Sequence, residues 1–420
     1  MTEPRQLADL DRAELAVMGR EYLMAGHLID RAGMGHVVGP HGLPAMTEVA
    51  IDEWMGASPI YTRRMQRLLA FEGNDVATIF KGMQFDIGAP HEFLDFRYRV
   101  IDETHGEFWL DHCGALMDVE PMGDDFVVAM CHHIEDPTFD ATAIATNPRA
   151  QVRPVHRPPR ADTTAGHEHC RWTVEIPADA PALPEPEPTK LMATTLAAQL
   201  PLPTIEHDDH DDGFDDYTRP LDPDLRLEDL SAPALRAVID ELALQGHLLS
   251  MSFLAAVEAR FGTESAVSIG TKQSIGIAGL TAWRFRKALR LDDSLDSIAQ
   301  VVALHPALLP RSYVDLRVEV VADELTISIG DCPALHETAR VSWISLLADG
   351  YDTALSAIVA GVDRRARCEP VAPVGDAVHS WRVVIDEIAA PERNEVVLTR
   401  FSTGADWQFQ PGAFRTAVAS

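Results

Sequence analysis

The chain has 420 residues, of which 46% are hydrophobic and 24% are charged, enough for two or three domains with apolar cores. Its 35 basic and 65 acidic side chains give a net charge of −30. This charge excludes a protein that binds nucleic acid through the phosphate backbone, and it argues against docking on an anionic membrane. The composition suits a protein that handles small neutral or metal-bridged ligands.

The sequence predicts a cytoplasmic localisation. No uninterrupted apolar run approaches the length that crosses a bilayer, and the N-terminal segment MTEPRQLADLDRAEL lacks the apolar core of a signal peptide. Five cysteines are an odd number spread over a long chain. Free or metal-bound thiols in a reducing compartment are therefore expected rather than a disulfide framework.

Hydrophobic periodicity predicts helices first and mixed structure later. Apolar residues at helical spacing predict a helix over 11–32 that ends at the stretch 33–35, followed by a loop over 40–44. The further predicted helices and strands follow alternating or helical patterns. They are helices over 45–71, 74–82 and 122–137 and strands over 94–102, 106–112 and 168–176.

The chain repeats itself at a period of about half its length. LADLDRAEL at 7–15 matches LEDLSAPAL at 227–235, and DFRYRV at 95–100 matches DLRVEV at 315–320. The predicted fold class is therefore α+β, with two tandem copies of one domain that each have N-terminal helices and an antiparallel sheet. The predicted boundaries are 5–200 for the first copy, 201–224 for a solvated acidic linker rich in His, Asp and Pro, and 225–415 for a degenerate second copy.

Residues that differ between the copies are better functional candidates than residues that both copies share. The differences concentrate in 112–156, where the first copy carries ligand-type side chains that the second has lost. Those assigned to a metal site are Cys113, Cys131, His132, His133 and His156, because thiolate and imidazole are typical zinc ligands. On a helix, Cys131 and Glu135 share one face, and His132 and Asp136 share the next.

Two other interpretations of these residues remain open. Cys113 and Cys131 could be small core residues beside a partly exposed helix end, since free cysteines are usually buried. Alternatively, Cys131 could be a nucleophile activated by a neighbouring histidine. Cys113 suits that role less well, because the second copy has its equivalent, Cys332, without the histidines.

The run from 108 to 176 resembles the L-2-amino-thiazoline-4-carboxylic acid hydrolase family, which is akin to vinyl-reductase-type ligand-binding domains. A strand ends in Cys113, Glu120 follows, a helix carries Cys131 with acidic residues after it, and Cys170 precedes a strand. The resemblance implies that these residues, with Glu135 or Asp136, lie around a pocket. The paired histidines after Cys131 and the duplication depart from the family pattern, so the fold carries over more readily than the substrate.

The leading functional hypothesis is a metal-dependent hydrolase that acts on a C–N bond of a small molecule. A divalent ion, zinc or manganese, would activate a water, and Glu135 or Asp136 would act as the general base with Cys131 at the catalytic centre. Arg153 or Arg157 would hold a substrate carboxylate, and Trp109 would contact the substrate.

Two further function classes are kept as alternatives. One is a duplicated small-molecule binding or sensing module without catalysis, and the other is a cysteine-nucleophile enzyme. No nucleic-acid or membrane partner is expected. The sequence leaves the substrate and the oligomeric state open.

Overall fold

The structure, a computed structural model, describes residues 3–161, 167–208, 210–350 and 353–410. It confirms the α+β class, with 52% helix and 14% strand in two separate four-stranded antiparallel sheets. We call residues 3–200 the first half and 225–410 the second half. The helices of the first half are α1 Arg12–Leu68, α2 Val76–Met83, α3 Gly114–Val119, α4 Asp124–Val128, a π-helical turn Ala129–Ile134, α5 Glu135–Ile144, α6 Glu187–Met192 and α7 Leu196–Gln199.

The second half has the same order of major elements. Its helices are α8 Ala232–Phe261, α9 Thr263–Ala288, α10 Leu295–Leu304, α11 Trp343–Ala348, α12 Thr353–Val362 and α13 Asn394–Thr399. The strands of the first half are β1 Leu94–Val100, β2 His105–Cys113, β3 Gln151–His156 and β4 Cys170–Glu175. Those of the second half are β5 Leu316–Val321, β6 Glu324–Ile329, β7 Ala366–Val371 and β8 His379–Ile385.

The long N-terminal helix of each half bends at a glycine. Within α1, Gly42 has φ 83° and ψ 170°, and Gly262 between α8 and α9 has φ 84° and ψ 166°. A positive φ is strained for residues with a Cβ, so glycine is the residue that turns the chain at both points. The two glycines lie 220 residues apart, and this offset relates the helices of the two halves position by position.

The two sheets have equivalent topology. The strand order is β1-β2-β4-β3 in the first sheet and β5-β6-β8-β7 in the second. Trp172 pairs with Phe108 in the first sheet, and Trp381 pairs with Ile327 in the second. The shared strand order and the shared glycine bends support the predicted duplication. That the chain arose by duplication stays a prediction.

Several predicted element bounds are confirmed and others are wrong. The strands predicted over 94–102, 106–112 and 168–176 are β1, β2 and β4. The helix predicted to end at 33–35 continues to the bend at Gly42, because packing against α8 stabilises it through the glycines.

The helix predicted over 122–137 also runs further, through Pro137 to Ile144. A wide π-helical turn, Ala129–Ile134, interrupts it just before that proline. In a straight α-helix the ring of Pro137 would clash with the carbonyl four residues earlier, and the wider turn changes that spacing.

The two halves share one apolar core and exchange buried ion pairs. Arg64 of the first half binds Glu241 of the second, with nitrogen–oxygen distances of 2.7 and 2.8 Å. Arg284 binds Glu21 in the mirrored arrangement, at 2.8 and 2.9 Å. Each pair is the other shifted by 220 residues, so the chain resembles a homodimer built from one polypeptide.

The end of each half crosses to the other half. The carboxylate of Glu337 accepts hydrogen bonds from the backbone of Leu196 and Ala197 in α7, at 2.8 and 3.1 Å. In the reciprocal contact, Asp118 accepts from Ser402 Oγ at 2.6 Å and from the backbone N–H of Thr403 at 2.7 Å. The segment 394–410 therefore packs on the first half.

The connection between the halves is docked on the protein, although a solvated linker is predicted. Tyr217 is 1% exposed and donates a hydrogen bond to Gln84 at 2.9 Å. Lys81 donates to the carbonyls of Tyr217 and Arg219 at 2.9 and 2.6 Å. The predicted boundaries of this segment and of the two copies stay predictions.

One described helix, α8, is long and apolar enough to cross a membrane by length and composition alone. Most of its apolar window is buried inside the protein, where it packs along α1. Core helices pass the same test of length and composition. The cytoplasmic localisation stays a prediction.

Candidate functional site

The first half encloses a cavity of about 400 Å³ between α1, the first sheet and the segment from α3 to α5. Its size is that of a small-molecule site. The wall is mostly apolar and aromatic. The side chains that form this apolar wall include Met34, Val38, Trp54, Phe96, Met130 and Phe139.

The cavity opens to solvent through an apolar rim. Met122, Leu398 and Phe401 line the cavity and are themselves 43%, 42% and 38% exposed. Leu398 and Phe401 belong to the second half and reach the cavity because the segment 394–410 crosses over. The second half therefore completes the wall of a cavity that lies in the first.

A buried charge cluster forms one end of the cavity on α1. Arg31 binds Asp30 at 2.9 Å, and its Nε lies 3.4 Å from Asp118. The Asp118 side chain is fully buried and also holds Ser402 and Thr403. Burial raises the pKa of Asp30, and the Arg31 guanidinium offsets part of that shift.

Two further groups on α1 are buried in uncharged form. Glu53 has no exposed surface, neither of its carboxyl oxygens has a hydrogen-bond partner among the described residues, and burial raises its pKa well above the usual range. His27 lines the cavity, and its Nε2 has no partner in the part of the chain that the structure describes. Burial and the nearby Arg31 lower the pKa of His27 well below its ordinary value, so this imidazole is neutral.

Glu135 is a carboxyl of the cavity wall at the start of α5, which packs against α1. Its Oε2 is buried and has no hydrogen-bond partner among the described residues. Burial raises its pKa to about 8, a larger effect than the lowering by Arg157 and Arg31. The group is thus a carboxylic acid that keeps its proton near neutral pH and faces an apolar space.

Three cysteines lie close enough to Glu135 and to one another to interact electrostatically. All are buried and free: Cys113 ends β2, Cys131 lies in the π-helical turn, and Cys170 begins β4. Burial raises the pKa of Cys113 to about 12 and those of Cys131 and Cys170 well above their usual range. They are therefore thiols and not thiolates at neutral pH.

Of the site residues predicted from the sequence, Cys113 and Glu135 line the cavity. Cys131 lies in the adjacent core, where it is close enough to Glu135 for the two groups to interact electrostatically. Glu120, implied by the family resemblance, pairs with Arg160 at 2.6 and 2.8 Å.

The three predicted histidine ligands lie apart from the cavity wall. The Nε2 of His132 is 2.6 Å from the carbonyl of Pro158, and His133 is exposed at the surface. The Nε2 of His156 is 2.7 Å from a carboxylate oxygen of Glu168. The three imidazole rings therefore lie in different environments.

The other predicted substrate and base residues also have their own partners. Asp136 forms an ion pair with Arg157, whose guanidinium also lies over the ring of Trp172. Arg153 binds Asp140 at 2.9 Å on the exposed face of β3. The Trp109 indole donates to Asp111 at 3.1 Å, with the Arg171 guanidinium stacked on its ring.

The predicted metal ligands do not form a coordination group in the part of the chain that the structure describes. Within those residues, no three His, Cys, Asp or Glu side chains lie together in a way that could hold a metal ion. A bound zinc or manganese stays a prediction, and no chemical step is derived through it.

The sequence comparison missed the polar groups on α1, although a signal for them existed. At the 220-residue offset, Asp30 and Arg31 correspond to Ser250 and Met251. Glu53 corresponds to Gln273 in the same way. The second copy has thus lost the charges of α1 as well as the ligand-type side chains of 112–156.

No protein-family model, curated protein or solved structure matches this chain. The resemblance to the thiazoline-carboxylate hydrolase family therefore stays a prediction.

Proposed function

We propose that the first half binds a small, largely apolar molecule in the cavity between α1 and the first sheet, and that the second half completes its wall. The observation that carries this proposal is an apolar cavity of about 400 Å³ whose lining includes Glu135 and His27, each with a buried polar atom that has no hydrogen-bond partner among the described residues. Unpaired buried polar groups destabilise a fold, and a ligand that pairs with them offsets that cost.

A neutral solvatochromic dye tests the proposal. Nile red should bind the full chain with a blue-shifted emission, and Ala115→Phe should weaken this binding by about tenfold or more, because the added ring occupies the cavity that Ala115 lines. The matched control is Ala193→Phe, which adds the same ring at an exposed position. Equal dye binding by wild type and Ala115→Phe would contradict the proposal.

A second candidate function is hydrolysis of a C–N bond in the same cavity. The observation that favours it is Glu135, a protonated carboxyl facing the bound molecule, which suits a general acid that protonates a leaving nitrogen. Release of 2-naphthylamine from naphthylamide substrates tests this activity. Glu135→Gln should abolish the release and keep dye binding, and metal analysis of the active protein tests whether a stoichiometric ion takes part.

A further inference from the structure

The ionisable groups around the cavity are mostly carboxyls. Among the described residues that line it, the carboxyl groups are Asp30, Asp86 and Glu135, and the one guanidinium is that of Arg31. Arg31 already binds Asp30 at 2.9 Å and lies 3.4 Å from Asp118. The cation on the wall is thus committed to two carboxylates.

Binding of an anionic ligand in this cavity would be unfavourable. It would compete with Asp30 and Asp118 for Arg31, and it would lie in an apolar space lined by three carboxyl groups. The neutral His27 supplies no positive charge. Burying a further negative charge there without a free partner is costly.

A ligand with a protonated nitrogen would meet complementary groups. Asp30 on α1 and Glu135 on α5 both line the cavity, and the buried Oε2 of Glu135 accepts no hydrogen bond from the described residues. An ammonium group carries three donors and no acceptor, and its positive charge lowers the pKa of a neighbouring carboxyl, so it favours the carboxylate form of Glu135 and can donate to it. Asp86 is less available, because it already accepts from Tyr61 Oη at 2.8 Å and from the backbone of Gly88 at 2.7 Å.

We propose that the ligand of this cavity is an apolar molecule with one basic nitrogen, whose ammonium group lies against Asp30 and Glu135 while its apolar body contacts the aromatic and methionine wall. This inference rests on the proposed function, since it names the chemical class that the cavity would bind. The apolar rim of Met122, Leu398 and Phe401 suits the entry of such a body.

Three probes of the same shape and different charge test the ligand class by displacement of Nile red from the full chain. They are 2-(1-naphthyl)ethylamine, 2-(1-naphthyl)ethanol and 1-naphthylacetate. The amine should bind about tenfold or more tightly than the alcohol, and the acetate should bind most weakly. Asp30→Asn and Glu135→Gln should each remove most of the amine's advantage over the alcohol.

The control variant is Ser250→Ala, at the position that corresponds to Asp30 in the second half, and it should keep the wild-type order of affinities. Thermal unfolding of each variant identifies any loss of fold. Asp30→Asn and Glu135→Gln lie on different helices, so each tests the preference for the amine independently of the other. An alcohol that binds as tightly as the amine, a preference for the acetate, or no displacement by the amine would overturn the ligand class. Failure of Nile red itself to bind would instead contradict the proposed function.

Discussion

At the residue scale, the buried carboxyl of Glu53 shows how the first half retains a destabilising group. Glu53 has no exposed surface and, within the described ranges, its carboxyl oxygens have no hydrogen-bond partner; burial raises its pKa well above 4.5. The corresponding residue of the second half is Gln273, an uncharged amide that donates to the carbonyl of Ile29 at 3.2 Å. The carboxyl therefore adds a dependence on pH that the amide lacks.

Glu53→Gln should stabilise the protein more at pH 8 than at pH 5. The folded state keeps a proton that the unfolded chain releases above about pH 4.5, so the free energy of unfolding of the wild type falls as pH rises through this range. The gain from the variant should reach about 1 kcal/mol or more at pH 8. Urea denaturation at both pH values measures it, with the exposed Glu72→Gln as a control that shows little change. A gain independent of pH would disagree with the burial of an ionisable group.

At the scale of elements, the two crossing segments are held by carboxylates in equivalent places. Asp118 follows Cys113 by five residues and holds the segment that contains α13, while Glu337 follows Cys332 by five residues and holds α7. Only the segment held by Asp118 covers the cavity, through Leu398 and Phe401. The same contact thus positions the cavity wall in one half and packs a helix end in the other.

Asp118→Asn should loosen the segment 402–405 selectively. Loss of the charge-assisted hydrogen bonds should cost about 1.5–3 kcal/mol and speed amide exchange there by roughly ten- to hundredfold. Hydrogen exchange measured by mass spectrometry checks this. The matched variant Glu337→Gln should instead speed exchange at 196–199, and an equal effect of both variants on both segments would contradict independent local contacts.

At the scale of the whole molecule, the mirrored ion pairs Arg64–Glu241 and Arg284–Glu21 connect the halves through buried charges. The side chains of the first pair are 3% and 4% exposed, and those of the second are 5% and 9% exposed. Removing one partner leaves a buried charge uncompensated, which costs far more than breaking a surface pair. Because both halves share one apolar core, they should unfold together.

Glu241→Ala should lower the free energy of unfolding by about 3–5 kcal/mol, and the double variant Arg64→Met with Glu241→Met should recover most of that loss. Glu187→Ala, which breaks the exposed pair with Lys190, should cost less than about 1 kcal/mol. Guanidinium denaturation measures all three. Two separated transitions, one for each half, would argue against a shared core.

The sequence by itself determined the class of the fold and three of the four strands described in the first half, because alternation along a strand and periodicity along a helix are local patterns. It also pointed to the first half and to Cys113 and Glu135, since the loss of ligand-type residues is visible when the copies are compared. Comparison at the 220-residue offset would also have revealed Asp30, Arg31 and Glu53.

Only the tertiary structure decided which of these side chains share a space. Glu135 lines the cavity while Cys131 packs in the adjacent core, and backbone and side-chain partners hold His132 and His156 elsewhere. Leu398 joins the cavity from the far end of the chain, because burial of the two halves in one core brings residues distant in sequence into contact. Such contacts depend on how whole elements pack, and no local pattern encodes them.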